Sequence, residues 1–275
     1  MAAETTTGFL DGSTPYLKLG EGPPLVMVQG LTPKHEVPEG TERRMLARSL
    51  APLAAHFTVY SVNRKRGLQP GESMADIARH LADAIENELG GPVLLSGTSS
   101  GGSVVLQLAI DRPDLVRRLI VVSAAYTLGP AGHALDEEMI RLTRAGDPRE
   151  AFAVLYAAML PGPLRTPLRP VARMMAPKID DPTDVLVTLE AENALDVGSE
   201  LGRITAPTLV IGGTKDVFYP RELLEGTAAG VVDGRAHLFE GWGHLRASGS
   251  KATTLVMLRF LLEATASGGA AGDDA

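Results

Sequence analysis

Val93-Leu94-Leu95-Ser96-Gly97-Thr98-Ser99-Ser100-Gly101-Gly102-Ser103-Val104 places a short apolar strand, a serine between glycines and the start of an apolar helix in one unbroken run. The pattern around the serine is G-x-S-x-G, from Gly97 to Gly101. A side chain held on so sharp a strand-to-helix turn needs neighbours without Cβ atoms, because the backbone must pass close to adjacent elements. The serine then stands at a helix N-terminus, where free N–H groups and the positive end of the dipole favour a developing negative charge. Such a position suits a nucleophile, so Ser99 is the first candidate catalytic residue.

Four more apolar runs have the same character: Leu25 to Val28, Phe57 to Val62, Leu119 to Val122 and Thr208 to Ile211. None alternates with polar residues, as expected of parallel strands covered on both faces. Helical segments are expected at about residues 42–54, 75–89 and 99–111. The order strand, helix, strand, helix predicts a doubly wound, mostly parallel sheet. Ahead of it, Asp11-Gly12 between Phe9-Leu10 and Tyr16-Leu17 reads as an antiparallel hairpin at the sheet edge.

A serine hydroxyl needs a base, and the base needs an orienting group. The strand Thr208 to Ile211 runs into Gly212-Gly213-Thr214-Lys215-Asp216, which sets Asp216 at the C-terminal edge of the sheet, where ligands bind in open α/β folds. A further strand, Arg235 to Phe239, leads into Glu240-Gly241-Trp242-Gly243-His244, a glycine-rich loop that can bend back over the same edge. Of the six histidines only His244 has this placement. His56, His80 and His237 read as packed or solvated residues of helices and strands, whereas His35 and His133 are alternatives as substrate contacts. Asp136 is the alternative acid.

Together these motifs resemble the α/β-hydrolase superfamily over about residues 9 to 265. The residues that carry the likeness are Gly22 to Gly30 around the first main parallel strand, the turn at Ser99, the Gly-Gly-x-x-Asp ending at Asp216 and the Gly-x-Gly-His ending at His244. The resemblance implies a catalytic triad of Ser99, His244 and Asp216 and an oxyanion hole formed by the N–H groups of Leu31 and Ser100. Gln29-Gly30 stands where family members usually carry His-Gly, which makes Gln29 a candidate for loop anchoring and substrate contact. Asn63-Arg64-Lys65-Arg66-Gly67 lies where the family often has Asp-x-Arg-Gly; it is read as a solvated loop, with an anion-binding role as the alternative. A serine in place of an aspartate nucleophile points to an acyl-enzyme rather than the alkyl-enzyme ester of dehalogenase and epoxide-hydrolase relatives.

The alternation stops after Val122 and does not resume until Thr208, and the intervening sequence has helical segments at Asp136 to Arg144, Arg149 to Leu160, Leu168 to Met175 and Asp184 to Leu195. A structureless loop of that length is improbable, so an inserted helical cap is expected. The domain reading is a core of residues 1–129 and 204–265, a cap of 130–203 and a disordered tail of 266–275. Met and aromatic residues of the cap predict an apolar pocket, with Tyr156, Met159 and Met175 as candidate substrate contacts.

Composition narrows the partners. With 44% apolar and 21% charged residues the chain is globular in type, and a net charge of -7 lacks the basic excess that phosphate backbones require. No cysteine occurs and no His-x-x-x-His spacing is present, so neither a metal nor another cofactor is expected. Neither a secretory pattern nor a long apolar stretch is seen, which leads to the expectation of a cytoplasmic chain with a small-molecule substrate and no membrane or nucleic-acid partner. The expected activity is carboxylesterase-like hydrolysis of an ester or related acyl bond in a small, largely apolar substrate. The alternatives are cofactor-free perhydrolase, carbon–carbon hydrolase or lyase chemistry on the same triad, and a small-molecule binder with a vestigial triad.

Overall fold

The apolar runs pair as anticipated. In the computed structural model, which describes residues 4–160, 164 and 166–263, the sheet order is β1-β2-β4-β3-β5-β6-β7-β8. The strands are β1 (Thr5–Leu10), β2 (Thr14–Leu19), β3 (Pro24–Val28), β4 (Thr58–Val62), β5 (Val93–Thr98), β6 (Val116–Val122), β7 (Thr208–Gly213) and β8 (Gly234–Phe239). β1 and β2 form the hairpin, turned at Asp11 (φ 47°) and Gly12 (φ 66°), and β2 pairs antiparallel with β4. All pairings from β4 through β3 and on to β8 are parallel. The fold is therefore that of the α/β hydrolases.

The lack of polar alternation has a direct cause. Val26 and Val28 enter one core layer while Leu25 enters the other, and Val93 and Leu95 are split from Leu94 in the same way. Successive side chains point to opposite faces, and both faces are covered. Helices α1 (Gly40–Ala54) and α9 (Lys251–Leu262) cover one face through Leu53 and Phe260. Helices α2 (Met74–Leu89), α3 (Ser100–Asp111) and α8 (Arg221–Gly230) cover the other. α2 is bounded by local chemistry: Ser73 and Asp76 form a reciprocal capping box, and Gly90 ends the helix at φ 71°.

Between β6 and β7 lie α4 (Pro130–Arg144), α5 (Pro148–Ala158), α6 (Arg169–Met175) and α7 (Thr183–Asn193), which correspond to the four anticipated helical segments. Pro130 and Pro148 open their helices at positions where the missing N–H costs nothing. The insertion is tied to the core at the start of α7, where the Asp184 carboxylate accepts the N–H groups of Gly67 at 3.2 Å and Leu68 at 2.7 Å. The expected break at Pro161-Gly162-Pro163 and the expected disordered tail lie outside the described residues.

Candidate active site

Ser99 follows β5 directly and adopts φ 53°, a left-handed conformation that a non-glycine residue rarely takes. It is held there by its own N–H, which donates to the Val122 carbonyl at 2.9 Å, and by α3, which begins at the next residue. The flanking glycines are required by contact. A Cβ on Gly97 would meet the Gly101 carbonyl, and one on Gly101 would meet the carbonyls of Val28 and Gln29 at the end of β3. The turn can therefore close only with glycine at both places, and Ser99 is left at the mouth of α3.

Asp216 stands just past β7. Its carboxylate is fully buried and has three partners: Oδ1 accepts the N–H groups of Phe218 at 2.9 Å and Tyr219 at 3.3 Å, and Oδ2 lies 2.8 Å from His244 Nδ1. Because Oδ2 is an acceptor, the imidazole proton sits on Nδ1, which frees Nε2 to accept. Nε2 lies 3.1 Å from Ser99 Oγ. Gly213 lets the His244 loop approach, since a Cβ there would strike the Trp242 carbonyl, and Lys215 N–H donates to that carbonyl at 2.8 Å. The ring is walled by Phe218, with centroids 4.8 Å apart, and Tyr219, stacked at 6.2 Å. Ser99, His244 and Asp216 thus form one hydrogen-bonded line, which is able to carry a proton away from the serine hydroxyl. Asp136 does not share in it.

A cavity of about 170 Å³ opens on this line, and Leu31, Leu128, Leu155, Met159 and Leu189 are among its walls. The lining is mainly apolar, and Asp136 and Glu192 are also part of it. Glu192 Oε1 accepts the Tyr219 hydroxyl at 2.6 Å and the Ser103 hydroxyl at 3.2 Å. Burial pushes both carboxyls upward in pKa, and for Asp136 the neighbouring Glu192 adds to the shift.

Of the proposed substrate contacts, Met159 lines the cavity, whereas Tyr156, Met175 and Gln29 are not among its lining residues; Leu31 of the expected oxyanion hole also lines it. Leu155 and Met159 are four apart and share a helix face, and Tyr156 is turned about 100° from Leu155 and about 60° from Met159. The Tyr156 ring packs on Phe152 instead, at 6.0 Å, and partial burial raises its hydroxyl pKa. Met175, at the end of α6, is 71% exposed. Gln29 donates from Nε2 to Ser61 Oγ at 3.2 Å and borders a separate cleft with Phe9, Thr32 and Arg66. Ser100 is fully buried as the first residue of α3, where its N–H lacks an acceptor within the helix.

The main residue overlooked in the sequence is Arg64, read there as part of a solvated loop. It is buried. Nη1 donates to the Gln29 carbonyl at 3.0 Å and the Ser100 hydroxyl at 3.3 Å, Nη2 to the Gly30 carbonyl at 2.9 Å and Nε to His35 Nε2 at 3.3 Å. Burial lowers its pKa to about 10, which leaves it a cation at neutral pH, with Glu192 and Asp184 opposing the fall. His35 is likewise a buried structural residue rather than a substrate contact. Its Nδ1 donates to the Lys65 carbonyl at 3.0 Å, and burial together with Arg64 lowers its pKa to about 3, so it is neutral. Asn63 completes the anchor, donating to Thr32 Oγ1 at 2.7 Å and the Lys34 carbonyl at 3.1 Å. His133 pairs with Asn193 at 2.9 Å. The available signal was positional: Asn63 and Arg64 follow a fully buried strand end and so lie beside the loop after β3.

Among the described residues no group of three His, Asp or Glu side chains is placed to hold a metal ion, and no helix is long and apolar enough to cross a membrane.

A strained serine turn, a buried acid–histidine pair and a mainly parallel eight-stranded sheet define the class of α/β folds built around a nucleophile. The chain belongs to the alpha/beta hydrolase family, whose model matches residues 37–251. It is 26% identical over 203 residues to RutD of Variovorax paradoxus (strain S110), provisionally named a carbamate hydrolase, covering 70% of this chain and 75% of that one. It is 29% identical over 177 residues to a 2-hydroxy-6-oxononadienedioate/2-hydroxy-6-oxononatrienedioate hydrolase of Cupriavidus pinatubonensis (strain JMP 134 / LMG 1197), covering 55% of each. Among solved structures, a hydrolase from Pseudomonas aeruginosa PA01 superposes with a TM-score of 0.73 at 22% identity, covering 96% of this chain and all of that one.

Proposed function

We propose that the protein is a serine hydrolase that cleaves an ester or related acyl bond of a small molecule through an acyl-enzyme on Ser99. The observation that carries this reading is His244, which stands between Ser99 Oγ at 3.1 Å and the Asp216 carboxylate at 2.8 Å. Ser99 Oγ attacks the acyl carbonyl as its proton passes to His244 Nε2. The N–H groups of Leu31 and Ser100 receive the tetrahedral oxyanion, and Asp216 stabilises the imidazolium. His244 returns the proton to the leaving group, then takes one from the water that releases the acid. No step calls for a metal or a cofactor.

A cavity of about 170 Å³ is below the usual range for drug-sized ligands and favours a short acyl group. The likeness to RutD supports including carbamates among the acyl bonds. The test is a panel of 4-nitrophenyl esters from acetate to octanoate, with lactones and aryl carbamates. Turnover is expected to be highest for short acyl groups and to be lost in Ser99→Ala. Tight binding of these compounds without turnover would favour a binder with a vestigial triad instead.

A further inference from the structure

Asp136 on α4 and Glu192 on α7 reach the cavity that holds Ser99, yet neither belongs to the proton line through His244. They are only 5% and 6% exposed. Glu192 is well provided for by the Tyr219 and Ser103 hydroxyls. Asp136 Oδ2, by contrast, is buried with no hydrogen-bond partner among the described residues. Buried polar atoms are almost always paired, so an orphaned carboxyl oxygen on a residue that lines the cavity calls for an explanation.

Electrostatics restricts what could satisfy it. Two neighbouring buried carboxyls do not both ionise unless a cation compensates them. The other ionisable groups around the pair are Tyr219, Arg64 and His244. Arg64 and His244 act on Glu192 through their charge, while their hydrogen bonds go to the loop at Gln29 and Gly30 and to the line through Asp216, and Tyr219 donates to Glu192, so none of the three donates to Asp136. Burial and the neighbouring Glu192 both favour the protonated form of Asp136. An anionic ligand would meet the Glu192 charge, and an apolar one would leave Oδ2 unpaired. A ligand N–H with a positive charge supplies both the donor and the compensation.

We propose that the cavity takes a substrate bearing a primary ammonium group, seated on Asp136 with Glu192 beside it. The proposal rests on the reading of this cavity as the substrate site. On binding, the ammonium keeps its protons and donates one hydrogen bond to Asp136, while Asp136 releases its own proton to solvent.

The test is calorimetric titration of the wild-type and Ser99→Ala proteins with n-propylammonium, 1-propanol and propionate, repeated in buffers of different ionisation enthalpy. In both proteins propylammonium should bind about tenfold or more tighter than propanol, with propionate weakest and close to one proton released per ammonium bound. Asp136→Asn should reduce the ammonium preference to within about threefold and abolish the proton release. Equal binding of propanol and propylammonium, or an ammonium preference unchanged by Asp136→Asn, would overturn the proposal. The wild-type comparison decides the matter even if the variant fails to fold. Ammonium binding in a protein that hydrolyses no ester would overturn the serine-hydrolase reading alone, and ester hydrolysis without ammonium binding would overturn only this one.

Discussion

Arg64 donates from Nη2 to the Gly30 carbonyl at 2.9 Å, so a buried guanidinium holds the loop next to Ser99 from behind. The same group reaches the Gln29 carbonyl and the Ser100 hydroxyl, which lie on the two segments that would supply the oxyanion donors. A planar fork can serve several acceptors at once, and an ammonium cannot. Arg64→Lys is therefore expected to lower kcat by about 10²-fold with little change in KM, because oxyanion donors matter mainly in the transition state. A rise in KM at constant kcat would assign Arg64 to substrate binding instead.

Asp216 touches His244, and His244 in turn touches Ser99. Asp216→Asn preserves shape but donates where the carboxylate accepted, which favours the wrong imidazole tautomer. We predict a fall in kcat of the order of 10⁴ with the melting temperature nearly kept. Near-normal turnover in steady-state assays would mean that another group orients His244.

His35 gives the fold an acid-side liability. Its pKa falls from the ordinary 6.5 to about 3 in the folded chain, so between those values the unfolded chain binds the extra proton. Stability should therefore decline as pH drops through that window, while above it His35 contributes no pH dependence. Urea unfolding at pH 7 and pH 4.5 should show the wild type losing about 2–3 kcal/mol more than His35→Gln. The opposite tendency of Asp136, whose pKa is raised, is common to both proteins and cancels in the difference. Equal losses would show that His35 is not buried neutral.

The pocket and the surface of the inserted helices separate in a second pair of variants. Met159 lines the cavity, whereas Met175 is 71% exposed. Met159→Ala should shift preference toward longer acyl chains by a graded factor, since each methylene in such a wall is worth about 1–3 kcal/mol. Met175→Ala should leave the chain-length profile of kcat/KM unchanged. A shift with Met175→Ala would place α6 over the cavity during turnover.

These variants also mark where the sequence was readable. The turn at Ser99 was legible because its constraint is local: the glycines, the strand and the helix are all within one run. Asp216 and His244 were legible because buried strands followed by glycine end at a known edge of the sheet. Arg64 was hidden because its burial depends on the distant loop at Gln29 and Gly30, and a run of cations reads as solvated when considered alone. Met159 and Met175 were indistinguishable because composition says that a helix has an apolar face but not which partner that face meets. Asp136 and Glu192 were masked in the same way, as acids on amphipathic helices ordinarily face water.

A covalent intermediate on Ser99 can be sought by mass spectrometry of the protein treated with a fluorophosphonate. The predicted result is a single phosphonyl adduct on the peptide that contains Ser99, formed more slowly in Asp216→Asn and absent from a folded Ser99→Ala protein. An adduct on any other residue, or labelling retained in Ser99→Ala, would mean that Ser99 is not the nucleophile.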